Sequence, residues 1–222
     1  MLIVKKQNPS SHIINLEDYS RNGFYQYFKG FEVPVNSRTI QIDITNLRRF
    51  IKEKNLRFFH PLLYLLTKAS NQITEFRFRI IQDNLFEFDY VFPVFTHLHK
   101  DNNPYFINGV FTGIFRHDYQ INSEKSDSFS PECLEKDRLD NQGHIICSNV
   151  PWYSFTSMTL PYSSQHASIP TFSIGKFYEE RNKIIMPLAI QTNHALVDGY
   201  HVKQFLQAFE ECSNNPAEHL ML

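Results

Sequence analysis

His194 stands where a long apolar run gives out. Residues 184–201 read Ile-Ile-Met-Pro-Leu-Ala-Ile-Gln-Thr-Asn-His-Ala-Leu-Val-Asp-Gly-Tyr-His. The run turns polar at Gln191, meets a turn signal at Asp198-Gly199, and continues as an amphipathic pattern with Val202, Phe205, Leu206 and Phe209 at helical spacing. The spacing predicts a buried strand that delivers an imidazole at its end, then a turn, then a helix leading away. An imidazole so placed is desolvated yet reachable from a cleft, and its unperturbed pKa of ~6.5 suits a general base. Asp198, four residues on, could orient the turn, fix the loop or bind an arginine elsewhere. A lone histidine at a strand end is more often a hydrogen-bonded structural group, so spacing alone does not establish catalysis.

The elements that must hold His194 follow from periodicity. Residues 1–15 read as a leading strand or extended arm. A short aromatic helix is expected from about Leu16–Asp18, breaking by Gly30, with Arg21 on it as a surface residue. Arg38–Ile44 alternates as a strand. Thr45 is a plausible N-cap for a helix over Asn46–Lys54 with Leu47, Phe50 and Ile51 inward. Pro61 opens an apolar helix over Leu62–Ile73. Phe76, Phe78 and Ile80 alternate with Arg77 and Arg79, and a tight turn at Asp83-Asn84 returns the chain through Leu85, Phe86 and Phe88. Val91–His99 is another strand; His97 and His99 share a face but lack a third ligand, so no metal site is expected. Phe106, Val110, Phe111, Ile114 and Phe115 suit an amphipathic helix within Tyr105–Tyr119, despite Gly109 and Gly113. Residues 120–143 read as a polar surface segment. Strands are expected over His144–Ser148, Tyr153–Leu160, Pro170–Tyr178 and Lys183–Thr192.

Composition narrows the class. A chain of 222 residues supports one sizeable core, read as a single domain over residues 1–222. Hydrophobic residues at 42% exclude general disorder. Seven glycines, with no glycine-rich phosphate loop, argue against a nucleotide-binding fold. A net charge of -1 implies neither nucleic acid nor an anionic membrane as partner. Cys133, Cys147 and Cys212 are odd in number and form no disulfide framework or zinc pattern, which fits a reducing cytoplasm. No signal peptide or membrane span is read.

Four stretches occur in a fixed order: Ser-Asn-Val-Pro-Trp-Tyr-Ser-Phe-Thr-Ser at 148–157, Ile-Gly-Lys-Phe-Tyr at 174–178, Met-Pro-Leu-Ala-Ile-Gln at 186–191 and His-Ala-Leu-Val-Asp-Gly-Tyr-His-Val at 194–202. With Tyr-Ser-Arg at 19–21, Ile-Asp-Ile-Thr at 42–45, Phe-His-Pro at 59–61 and Glu-Phe-Arg at 75–77, the chain resembles the trimeric chloramphenicol acetyltransferases over residues 12–213. The resemblance implies an α/β two-layer sandwich, a mixed β-sheet flanked by helices. It implies direct acetyl transfer from acetyl-CoA, a co-substrate rather than a tightly bound cofactor, to the hydroxyl of a small-molecule alcohol, with chloramphenicol the expected acceptor. His194 would be the base and Ser148 the donor to the developing oxyanion. Asp198 and Arg21 would form a buried ion pair shaping the histidine's loop. Tyr27, Phe28, Tyr105 and Ser173 would line the acceptor pocket. A cytoplasmic homotrimer, with its sites at subunit interfaces, is implied as well.

The sequence departs from the family pattern in two places. Asn193 stands where a first motif histidine is usual. Glu32 and Asn36 fall where apolar pocket residues are expected, so either Glu32 points to solvent or the acceptor is a more polar alcohol. Two other readings are a 2-oxoacid dehydrogenase acyltransferase core, which this chain's lack of a lipoyl unit opposes, and a non-catalytic trimeric binding module, which the intact His194, Ser148, Asp198 and Arg21 oppose.

Overall fold

The computed structural model describes residues 7–131 and 142–222. In chain order it contains β1 (Ser11–Ile13), α1 (Asn22–Lys29), β2 (Val35–Asp43), α2 (Thr45–Glu53), α3 (Phe59–Gln72), β3 (Phe78–Ile81), β4 (Asn84–Phe88), β5 (Phe92–Leu98), β6 (Pro104–Asn108), α4 (Phe115–Asp127), β7 (His144–Val150), β8 (Thr171–Gly175), β9 (Tyr178–Glu180), β10 (Lys183–Asn193), α5 (Gly199–Asn214) and α6 (Pro216–His219).

The main sheet runs β2-β10-β8-β7-β5-β6, with β9 also on β10; β1, β4 and β3 form a small separate sheet. β7 is parallel to β5 and to β8, and the other pairings are antiparallel, so the sheet is mixed. Residues paired across strands share a face. The row Ile190, Phe172, Cys147 and Phe95 crosses four strands, and each member is at most 1% exposed. It meets the helices: Phe205 of α5 stacks on Phe172 and on Phe76, and α5 packs on α3. The next row, Ala189, Ser173 and Ser148, with Thr96 beside Ser148, lies on the opposite face and is small and polar. One face of the sheet is therefore hydrophobic core, and the other is a floor for something else.

Several local expectations give way to tertiary context. α1 starts at Asn22, later than Leu16–Asp18, because Asn15 closes a turn with Asp18. Thr45 is not an N-cap: it is inside α2, where the Asp43 carboxylate accepts from its amide and its hydroxyl. Phe76 lies in a 3₁₀ turn, Thr74–Arg77, rather than a strand. The hairpin turn is Gln82-Asp83, both at positive φ, one residue before the expected pair. Arg79 does not alternate outward. It is fully buried, and its guanidinium donates to the carbonyls of Phe76, Phe78, Gln142 and His144, tying β3 to the start of β7. Burial lowers its pKa to about 9, which still leaves it charged at neutral pH.

The expected helix over Tyr105–Tyr119 is two elements: strand β6, then α4 starting only at Phe115. Between them, Gly109 lies against β5; a Cβ there would sit 2.8 Å from the Pro93 carbonyl oxygen. α4 also takes in Gln120–Asp127, the front of the expected surface segment, and positions 132–141 of that segment lie outside the described residues. Tyr153–Leu160 is not a strand but irregular chain. It crosses the polar face of the sheet: Gln41 donates to the Phe155 carbonyl, and the Met158 amide donates to the Thr39 hydroxyl. No helix among the described residues is long and apolar enough to cross a membrane.

Candidate active site

β10 is paired on both sides and buried along most of its length, and it ends at Asn193. The chain then turns: Ala195 donates to the Asn193 side-chain oxygen at 2.9 Å, and Leu196 and Val197 donate to its carbonyl. Asn193 thus builds the turn that projects the next ring. The His194 amide is anchored on the Pro34 carbonyl at 2.6 Å. Its half-buried ring packs on Phe28 at 4.3 Å and edge-on to Phe24 at 5.4 Å, both from α1. Nδ1 faces the Val197 carbonyl at 3.4 Å. A carbonyl only accepts, so this contact places the ring proton on Nδ1 and leaves the Nε2 lone pair for chemistry.

The loop is locked from behind. Asp198 caps α5, accepting from the amides of Tyr200 and His201. Arg21 donates to its second oxygen at 2.5 Å, an ion pair that is partly rather than fully buried. His201 completes the network: its Nδ1 accepts from the Asp198 amide at 3.2 Å, and Nε2 lies 3.3 Å from Glu75. A neutral imidazole with its proton on Nε2 satisfies both contacts. Burial would raise both carboxyls, but Arg21 and His201 outweigh it at Asp198, and His201 outweighs it at Glu75. Both are held below the ordinary carboxylate range. A depressed native pKa contributes stability that is complete above the unfolded value, about 4, and is lost as the pH falls through the native one. Asp198→Asn, which can still cap the helix, is expected to flatten the fall in melting temperature between about pH 5 and 3; an unchanged slope would remove Asp198 from the acid response.

Ser148 sits on the polar face between two cavities. One, of about 520 Å³, is lined by Arg57, Phe59, His60 and Trp152 among others. The second, of about 310 Å³, is lined by Leu160, Tyr162, Ile169, Ser173 and Gln191 among others. Ser148 and Thr96 line both. Thr96 Oγ1 accepts from the Asn149 amide at 3.3 Å and donates to Ser148 Oγ at 3.4 Å. That leaves the Ser148 hydroxyl hydrogen for an acceptor in either cavity. Thr96 is a residue that sequence reasoning passed over, as are Phe24, His201 and Glu75.

Within one chain, Ser148 and His194 do not meet. Ser148 pairs with Ser173, and Ser173 with Ala189, five residues before His194. At ordinary strand spacing and rise, this is about 9.5 Å across and about 16.5 Å along, or ~19 Å in all. The other expected pocket residues divide the same way. Phe28 and the largely exposed Tyr27 belong to the His194 side, and Ser173 to the Ser148 side. Tyr105 lines neither cavity; its ring lies on Phe129 and its hydroxyl donates to Asp101. Glu32 is exposed and, like Asn36, lines neither. Glu32 borders a third hollow of about 260 Å³ with Lys29, Asp83 and Asn193.

Residues 10–210 match the family model for chloramphenicol acetyltransferase. The chain belongs to the chloramphenicol acetyltransferase family. A chloramphenicol acetyltransferase of Bacillus pumilus is 34% identical over 197 residues, covering 86% of this chain and 88% of the relative. One of Clostridium perfringens is 31% identical over 210 residues, covering 92% and 95%. A solved chloramphenicol acetyltransferase superposes with a TM-score of 0.82 at 23% identity, over 91% of this chain and 99% of that one, and it shares the mixed-sheet α/β fold. As a member of the chloramphenicol acetyltransferase family, the chain is an acyltransferase.

Proposed function

We propose that this protein transfers the acetyl group of acetyl-CoA to a hydroxyl of chloramphenicol, and that it does so as a homotrimer in the cytoplasm, where acetyl-CoA is at hand. The observation that carries the chemistry is the His194 tautomer. With its proton held toward the Val197 carbonyl, the ring offers Nε2 as a base. Nε2 takes the proton of the acceptor hydroxyl as that oxygen attacks the thioester carbonyl carbon. The tetrahedral oxyanion accepts from Ser148. The carbon–sulfur bond then breaks, and the leaving thiolate takes the proton back from the imidazolium, giving an acetyl ester and free coenzyme A. No acyl-enzyme and no metal are needed. A donor aimed at charge that exists only in the transition state lowers the barrier selectively.

Geometry supports the oligomer. A base and an oxyanion donor ~19 Å apart cannot serve one reacting carbon, so His194 of one copy is assigned to work against Ser148 of the next. Two cavities sharing Ser148 also suit two substrates arriving from different sides. We assign the larger, bordered by Trp152 and Arg57, to the coenzyme arm and the smaller to the acceptor. Glu32 stands outside both cavities, which favours chloramphenicol over a more polar alcohol.

The test is release of coenzyme A thiol from acetyl-CoA with and without chloramphenicol. Chloramphenicol-dependent release is expected, and Ser148→Ala is expected to cut kcat by about 100-fold with KM little changed. Release only with some other alcohol would move the acceptor, and release with none would return the chain to a binding module.

A further inference from the structure

A second cluster of reactive side chains lies at the far end of α5. Cys212 and Glu211 are on its last turns, and His219 is on α6, which folds back beside them. One ligand atom from each residue lies within 4.8 Å of the other two. The Cys212 sulfur is 3.4 Å from Glu211 Oε2, and His219 Nε2 is 3.1 Å from Glu211 Oε1. Ligands sharing a tetrahedral ion at ~2.0–2.3 Å lie about 3.3–3.8 Å apart, so only small side-chain adjustments separate this arrangement from a coordination shell. We infer that Glu211, Cys212 and His219 bind one divalent transition-metal ion, with a fourth position left for water.

The donor set selects the ion. Thiolate with imidazole and carboxylate suits zinc and, as a spectroscopic stand-in, cobalt; all-oxygen ions such as magnesium and calcium have no use for the sulfur. Access is open, because Glu211 is exposed and His219 is only partly covered, while Cys212 supplies the buried anchor. Proton bookkeeping closes. Without metal, the thiol hydrogen and the His219 Nε2 hydrogen both point at the Glu211 carboxylate, since Lys68 donates to Nδ1 at 3.0 Å. One divalent ion replaces those two hydrogens; a ring bound through Nε2 carries its proton on Nδ1, taken from solvent, where the Lys68 ammonium already points a donor, so that side chain must swing aside. Lys68 is thus the group that opposes binding, and an uncharged acceptor in its place improves the shell around the histidine. The site is about 21 Å along α5 from Asp198, so it is separate from the acetyl-transfer chemistry; its effect is to staple α6 onto α5.

The experiment is titration of the purified protein with cobalt, followed by competition with zinc. Expected are a thiolate-to-cobalt charge-transfer band and visible ligand-field bands, erased by zinc, and a zinc-dependent rise in melting temperature. His219→Ala and Cys212→Ser should each weaken binding by about 100-fold or more, and Lys68→Gln should bind as tightly as the parent or tighter. Glu211→Gln, a surface change that leaves the packed sulfur alone, guards against misfolding of the cysteine variant and should also weaken binding. No cobalt bands in the parent protein, bands that persist in both His219→Ala and Cys212→Ser, or a loss in Lys68→Gln equal to that in His219→Ala would each overturn the assignment.

Discussion

Alanine at position 194 should leave a folded protein whose kcat for coenzyme A release has fallen by roughly 10² to 10⁴, the usual contribution of a positioned general base. Folding should survive because the contact holding this residue in place, its amide on the Pro34 carbonyl, belongs to the backbone. The ring itself is half-buried and packs on Phe24 and Phe28. KM values for both substrates should move little, since the proton is taken only as the acceptor oxygen attacks; a loss confined to kcat is the mark of an interaction made in the transition state. Steady-state rates of thiol release, taken with a thermal melt of the same sample, test both halves. Full turnover in the alanine variant would sink the assignment of His194 as base, whatever the fold.

The second large effect is a recovery. His194→Ala and Ser148→Ala should each be nearly inactive alone, yet co-folding them in equal amounts should restore about a quarter of parental activity if, as proposed, each site in a closed ring draws its base from one copy and its hydroxyl from the neighbour. Random mixing supplies an intact histidine opposite an intact serine at one interface in four. The ~19 Å between the two residues within a chain is what makes the prediction sharp. If one chain held a complete site, every site in the mixture would carry one of the two lesions, and activity would stay at the mean of the two variants. The comparison is run on co-expressed, doubly tagged assemblies, with separately purified variants mixed without unfolding as the control.

Much of this was legible in order of sequence. The apolar run that turns polar at Gln191, the Asp198-Gly199 signal and the Val202, Phe205, Phe209 stripe predicted β10, its turn and α5, because a buried apolar run, a turn signal and a 3.6-residue period follow one another there. The Arg21–Asp198 pair was legible only through family resemblance; from its own segment Arg21 reads as a surface residue. Illegible parts share a cause: their conformation is set by distant chain. Phe106, Val110 and Phe111 have helical spacing, but β6 pairs with β5 and Gly109 lies against Pro93. Tyr153–Leu160 has the composition of a strand, yet it meets no free edge and lies across the polar face instead. Arg79 alternates as an outward residue, and no local rule reveals that four backbone carbonyls await it inside. His201 stands three residues after Asp198, the spacing of a capping partner, but its other partner Glu75 is far away in sequence, so the network could not be assembled from spacing.

The position of β10 in the sheet has a consequence for synthesis. This strand lies between β2 and β8, and its pairing with β2 joins residues such as Ile190 and Arg38 about 150 positions apart, a high contact order that slows folding. Until the ribosome has released the chain past Asn193, β2 has no partner in the main sheet and β8 presents an open edge, the kind of surface on which nascent chains pair wrongly. The histidine is thus set in place by the same late event that seals the sheet, so half-made chains carry neither the base nor a closed edge. Premature termination within β10 should therefore yield aggregates rather than soluble, inactive protein.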